Sequence, residues 1–276
     1  MLDGGAMFGV VPKTIWSKLV PNENNMVKVT ARCLLVDYNN QLTLIDTGMG
    51  NKQSEKFFSY YNIWGNRDLN KSLKGAGFHP DEINNVFLTH LHFDHCGGAT
   101  KLSSLGPVTS FKNAYYWSNE KHWSWATNPN KREKASFLEE NLRPLEVSGQ
   151  LKHVAFNNKD YIKKSSLPFD LIIVDGHTEK QMIPVIKYKN IKIAFAADLI
   201  PTAAHISLPY IASYDVRPLL TLKEKDIFLN YCCDNNVLLF FEHDVLVELA
   251  SLKRDGSKVV IDKNLKIKVN SFLIKN

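Results

Sequence analysis

The apolar positions of this chain gather in short β-rich runs bounded by turn residues, and those runs fall into two groups. In the first half, "MVKVTARCLLVDY" (26–38) and "QLTLID" (41–46) are joined at Asn39–Asn40, residues that tolerate positive φ and suit a tight hairpin. A helical stretch around 67–75, ended by Gly75 and Gly77, leads into "NVFLTH" (85–90). The second half carries "FDLIIVDGH" (169–177), "QMIPVIKY" (181–188) and "IKIAFAAD" (191–198). A helix near 221–235 comes next, then "NVLLFFEH" (236–243) and two further strands in "KVVIDKNLKIKV" (258–269). Five of these runs close on an acid or a histidine: Asp46, His90, His177, Asp198 and His243.

Residues 105–165 break the pattern, since "NAYYWSNEKHWSW" and its surroundings are aromatic-rich, charged and helical in parts. They read as an insertion over a sheet edge, with an exposed aromatic surface that would suit a homodimer. The expected domain organisation is one unit over 1–276, because no repeat, low-complexity stretch or linker interrupts the chain. Near the start, "LDGG" reads as the end of a strand whose beginning is missing, compatible with a trimmed upstream segment.

Composition narrows the class. The 276 residues are 44% hydrophobic, enough for a substantial core, and 34 basic against 28 acidic residues give a net charge of +6. The lysines are scattered in clusters such as "KYKNIK" (187–192), not laid out as a basic stripe interleaved with aromatics, so no nucleic-acid partner is expected. No run approaches the roughly 18 apolar residues of a membrane span, and no export signal is visible, which points to a soluble chain. The four cysteines, Cys33, Cys96, Cys232 and Cys233, have no CxxC spacing, so reduced thiols in a cytoplasm are the simpler reading.

The candidate chemistry lies in "THLHFDHCGG" (89–98), where His90, His92, Asp94 and His95 sit within six positions after an apolar strand. Strand alternation would aim His90 and His92 to one side, and a turn would bring Asp94 and His95 round to them. Imidazoles with a carboxylate are the ligand set of zinc or another borderline divalent ion, and Gly97–Gly98 let the following segment start close by.

At these residues the chain resembles the metallo-β-lactamase-fold hydrolases, whose hallmark is HxHxDH after an apolar strand. "LIDTGMG" (44–50) matches the first motif of that family and "THLHFDHCGG" the second. His177 in "DGHT", Asp198 in "AFAAD" and His243 in "FFEH" match the third, fourth and fifth. The resemblance implies an α/β fold, an αββα sandwich of two mixed β-sheets packed face to face with helices outside. It also implies two divalent ions, Zn2+ first among the candidates. One would be held by His90, His92 and His177, the other by Asp94, His95 and His243, with Asp198 bridging. Asp46 would orient a ligand histidine, or else be a turn aspartate before Gly48. His92 stands where diiron redox relatives carry Glu, and true β-lactamases of this fold generally lack the bridging aspartate. Only 33 residues come after His243, too few for the helical domain of glyoxalase II, and no basic groove supports the related nucleases.

"DGGAMFGVVPK" (3–13), "HLHFDHCGG" and "ADLIPTAAHISLPYIASYD" (197–215) resemble the branch of N-acyl-homoserine lactonases and organophosphate hydrolases. That implies lactone opening by a metal-bridging hydroxide, with Asp94 as both ligand and acid. Arylester or phosphotriester hydrolysis is the alternative, and a non-catalytic metal-binding protein the remote one. The small-molecule ester would meet Met7, Phe8 and Phe93, roofed by Trp117, Trp123 and Trp125, each of which could equally be core. Some lactonases of this branch place a tyrosine where this chain has Pro201, so His205 and Tyr210 are the substitutes for an oxyanion helper, a surface role for His205 being the other reading.

Overall fold

A computed structural model of the chain describes residues 1–65, 68–156 and 160–267. They divide into two compact units, each assembled from separated segments. One comprises Met1–Thr30, Tyr60–Ile63 and Phe169–Ile267; the other comprises Ala31–Ser59 and Trp64–Pro168.

The second of these units is built on a five-stranded sheet in the order Leu151–His153, Tyr115–Ser118, Ile83–Phe87, Gln41–Ile45, Leu34–Tyr38. The first four strands are mutually parallel and the last is antiparallel to its neighbour. The antiparallel pair is the expected hairpin: Tyr38 pairs with Gln41, and Asn39 and Asn40 take φ of +53° and +62°, the doubly left-handed geometry of a two-residue turn. Parallel pairing puts the C-terminal ends of Gln41–Ile45 and Ile83–Phe87 at the same sheet edge. Asp46 and the stretch entering His90 are therefore neighbours, with the Asp46 N–H donating to the Phe87 carbonyl at 2.9 Å. Beneath them lies a core of Leu44, Ile83, Val86, Leu88, Phe111, Tyr116 and Leu145, all buried.

The other unit carries a six-stranded sheet in sequence order from Asp170–Val174 to Lys258–Leu265. Two antiparallel reversals, at Gln181–Tyr188 and then Ile191–Phe195, restore the direction of Asp170–Val174. Val237–Phe240 then pairs parallel to Ile191–Phe195. Three strands thus point the same way, and His177, Asp198 and His243, each lying three positions past the end of one of them, emerge at one edge. The helix Pro218–Asp234 supplies the crossover that a parallel pair requires. Gln181–Tyr188 is buried at every position except Lys187, as befits a central strand.

Several sequence expectations need revision. The run 26–38 is two pieces, Met26–Val27 in a small three-stranded sheet with Leu2–Asp3 and Asn22–Glu23, and Leu34–Tyr38 in the five-stranded one. Within 258–267 there is one strand, Lys258–Leu265, paired with an unforeseen Leu249–Asp255; residues 268 and 269 lie outside the described residues. The helix expected around 67–75 is Leu69–Gly75, capped by the Asp68 carboxylate; residue 67 also lies outside the described residues. The segment 105–165 supplies two strands of the sheet as well as the helices Glu120–Thr127 and Glu139–Val147, so it builds the sheet's edge instead of covering it. Among the described residues no helix is long and apolar enough to cross a membrane.

Gly97 and Gly98 are required by close approach. A Cβ on Gly97 would fall 2.1 Å from the Met49 carbonyl oxygen, and one on Gly98 2.2 Å from that of Thr47, both backbone atoms that cannot step aside. Gly75, at a helix end, meets nothing within 4 Å. Gly97→Ala or Gly98→Ala should therefore lower unfolding stability by about 2 to 3 kcal/mol, whereas Gly75→Ala should leave it unchanged or slightly raised; urea denaturation of the three variants checks the contrast.

Candidate metal centre

The ligand candidates form two clusters, one in each unit. In the unit with the five-stranded sheet, the apolar strand ends at Phe87 and Thr89 turns its groups onto Asp46. The Thr89 N–H donates to Asp46 Oδ1 at 2.8 Å and the Thr89 hydroxyl to Asp46 Oδ2 at 2.7 Å. Because that hydroxyl proton is committed, Thr89 Oγ1 can only accept from His90 Nδ1, 3.1 Å away. His90 therefore carries its proton on Nδ1, and Nε2 is the nitrogen a metal would take. Asp46 Oδ2 also lies 3.0 Å from His95 Nδ1, which assigns Nε2 of His95 the same role. Asp94, one residue earlier and partly open to solvent, has its Oδ1 3.9 Å from that Nε2.

His92 is oriented the other way. Its Nε2 faces Glu133 Oε1 at 3.4 Å, so a metal would have to take Nδ1. The three rings are crowded together: His90 and His92 centroids are 4.7 Å apart, His90 and His95 3.9 Å. All three are buried. The short helix Phe93–Cys96 carries Asp94 and His95, and it is clamped against the 44–50 motif by Thr47 N–H to His95 O (2.7 Å) and Gly98 N–H to Gly48 O (2.9 Å).

In the other unit Asp198 stands between two histidines. His177 Nε2 is 3.2 Å from its Oδ2 and His243 Nε2 2.9 Å from its Oδ1. Each histidine is fixed from behind: His177 Nδ1 by Asp215 Oδ1 at 2.9 Å, His243 Nδ1 by the Thr30 carbonyl at 2.7 Å. Both outer partners accept, which puts a proton on each Nδ1 and leaves Nε2 as the nitrogen that a metal ion placed between the histidines and the carboxylate would take. The strand end is strained where it turns to present Asp198, since Ala197 holds φ +43° without being glycine or asparagine. The turn before His177 is held by Glu224, which accepts from the Asp175 and Gly176 N–H groups at 2.8 and 2.9 Å. Burial raises the Glu224 carboxyl above its ordinary range. Imidazole nitrogens aligned by acceptors, with carboxylates among them, are a donor set that fits zinc or a similar divalent ion in each cluster.

The residues expected to line a pocket divide differently. Met7 and Phe8 are buried in a cluster with Trp16 and Val27, Phe8 stacking between Trp16 (5.3 Å) and His205 (4.7 Å). Trp123 is core. Trp117 is half-buried with its indole N–H on Asn85 Oδ1, and the Trp125 N–H goes to Glu133 Oε2, both at 2.8 Å. Phe93 is half-buried, edge-on to Phe57. His205 is neither a surface residue nor an available oxyanion helper: it is buried, with Nε2 on the Met7 carbonyl at 2.8 Å and Nδ1 against Thr202 Oγ1 at 2.7 Å. It ties the N-terminal helix Gly4–Phe8 to the loop after Asp198. On the same loop, Tyr210 gives its carbonyl to the buried Lys225 ammonium, as do Ser207 and Leu208.

Residues that sequence reasoning missed include Asp215, Glu133, His122 and Lys225. Asp215 ends the quoted loop 197–215 and carried no other signal. His122 accepts the Leu91 N–H at 2.8 Å, bracing the backbone between His90 and His92.

Comparison with known proteins adds an independent line. A profile described as the Metallo-beta-lactamase superfamily matches residues 28–231. Among solved structures, a probable metal-dependent hydrolase from Staphylococcus aureus superposes with a TM-score of 0.83 at 27% identity, covering 96% of this chain and 94% of its own. AidC, a dizinc quorum-quenching lactonase in complex with a product, gives 0.70 at 22% identity over 87% and 81%. AbOPH, a hydrolase of the beta-lactamase superfamily, gives 0.76 at 20% over 97% and 92%. A comparison with curated proteins gives no match.

Asp215→Asn should weaken binding of a divalent ion about 10- to 100-fold with the fold retained, as measured by zinc competition against a chromophoric chelator. Burial pushes the His205 imidazole down to about 4. Its neutral form is the folded one, so its contribution to stability is complete above its ordinary value and declines as pH falls from about 6.5 toward 4, by at most about 1.4 kcal/mol per pH unit. His205→Gln should flatten that part of the stability–pH curve; an unchanged slope would contradict the assignment.

Proposed function

As a member of the metallo-beta-lactamase superfamily, the chain carries the ligand types of a metal-dependent hydrolase, and we propose that its two clusters act together as one dinuclear zinc centre that opens the lactone ring of N-acyl-homoserine lactones. One ion would be held by His90, His92 and His177, the other by Asp94, His95 and His243, with Asp198 shared. The observation that carries this reading is the placing of His177 Nε2 and His243 Nε2 on opposite oxygens of Asp198, each histidine fixed from behind by an acceptor. A carboxylate approached by a ligand histidine at each oxygen suits a bridge better than a single-ion site.

Bound divalent ions supply a water of lowered pKa and polarise the ester carbonyl. The protein's own part is orientation and proton transfer. Asp46, Asp215 and Thr30 hold the histidine rings so that the reacting groups meet in a fixed geometry. Asp94 is the proton carrier: its carboxylate, about a quarter exposed, takes a proton from the attacking water and returns it to the departing alkoxide. The substrate is a small lactone, the setting is the cytoplasm on the strength of four free cysteines, and the chain works as a single catalytic domain with a homodimer as its assembly. The likeness to a dizinc lactonase supports this reading.

A second reading, arylester or phosphotriester hydrolysis at the same centre, is favoured by one observation. Pro201 removes the tyrosine found in some lactonases, and His205, with both ring nitrogens engaged, does not replace it.

Zinc-loaded protein should open short- and long-chain acyl-homoserine lactones with a higher kcat/KM than it shows on an aryl ester or a phosphotriester, and chelation should remove all three activities. No ring opening by metal-replete protein would sink the lactonase reading. Asp94→Asn should lower kcat on the preferred substrate by about 100-fold or more, with the circular dichroism spectrum unchanged.

A further inference from the structure

Residues 119–137 contain none of the seven ligand candidates, yet they grip the loop that carries four of them. His122 accepts the Leu91 N–H, the Phe93 N–H donates to the Ser136 carbonyl at 2.9 Å, and the Phe137 ring lies 4.8 Å from the His92 ring. At the centre of this grip is Glu133, buried at 3% exposure. Its Oε2 accepts from Trp125 Nε1 at 2.8 Å and from Asn130 Nδ2 at 2.5 Å, while its own backbone N–H donates to Asn130 Oδ1 at 3.1 Å. Oε2 is thereby fixed, and Oε1 is held 3.4 Å from His92 Nε2.

We propose that Glu133 is a positioning residue that sets the tautomer of His92, and through it the affinity of the ion bound by His90, His92 and His177. The inference rests on the dinuclear reading above. A carboxylate only accepts, so facing it His92 keeps its proton on Nε2 and presents the Nδ1 lone pair. The other ring nitrogens are set by different groups, Thr89 for His90 and Asp46 for His95. Glu133 therefore acts on one ion and not on the other. Trp125 is thereby explained as the anchor of Glu133 rather than as a roof for an acyl chain.

The isosteric substitution Glu133→Gln makes a sharp test. The Trp125 and Asn130 donors would claim the amide oxygen, which turns the amide NH2 toward His92 Nε2. Two donors cannot face each other, so His92 would move its proton to Nδ1 and lose that nitrogen as a ligand. Long-range 1H–15N NMR of the metal-free protein reads the tautomer directly, and stepwise zinc competition reads the two affinities. Wild-type protein should show the Nε2–H form; Glu133→Gln should show the Nδ1–H form, with one zinc step weakened about 10- to 100-fold and the other within about twofold of wild type. Trp125→Phe, which keeps the carboxylate, should retain the Nε2–H form.

Glu133→Gln protein that keeps the Nε2–H tautomer and both zinc steps would overturn the inference about Glu133 alone. Wild-type protein that takes up no zinc would overturn the proposed function instead, since the tautomer is read without metal.

Discussion

A fully buried carboxylate, Asp46, is the constraint on which the candidate ligand loop of one unit depends. It sits one residue beyond the apolar strand Gln41–Ile45, with φ +55°, and its two oxygens accept from the Thr89 N–H, the Thr89 hydroxyl and His95 Nδ1. A carboxylate taken out of water is tolerable only when its lone pairs are filled, and here every filled lone pair also fixes something in the ligand loop. Thr89, once committed to Asp46, orients His90. The first motif of the sequence thus acts through the second, and the close approach of Gly97 and Gly98 to the Thr47 and Met49 carbonyls is the steric condition for that approach.

The other unit solves the same problem by strand direction. Three segments far apart in sequence arrive at one sheet edge because two hairpin reversals and one helical crossover leave their strands running the same way. His177 and His243 then converge on Asp198, each backed by an acceptor from elsewhere. Around this edge, charged side chains are structural: the Lys225 ammonium, pushed down to about 7 by burial, ties together three carbonyls of the loop after Asp198. His205, kept neutral by its surroundings, stitches the N-terminal helix to that same loop. Polar groups that looked like candidates for substrate chemistry are engaged in shaping the loop instead.

Much of the architecture could be read in advance from period and punctuation. The hairpin at Asn39–Asn40, the strand Gln181–Tyr188 and the long helix Pro218–Asp234 lie close to where apolar spacing and turn residues put them, and the α/β class with mixed sheets is the one expected. The segment 105–165 departs from the expected insertion because its strands, Tyr115–Ser118 and Leu151–His153, are too short to show alternation, and their aromatics resemble helix surface as much as sheet.

The sequence by itself determined which residues are candidate donors. Histidine and aspartate at strand ends are chemically distinctive, and an apolar run ending in HxHxDH is a local pattern that needs no partner to be recognised. Only the tertiary structure decided which nitrogen each histidine offers, because that is chosen by the group behind the ring. For His177 that group is Asp215, 38 positions away, and for His92 it is Glu133, 41 positions away. Acidic residues are too common for such pairs to be picked out along a chain; they become specific only when folding buries one beside an imidazole and a proton must be shared between them.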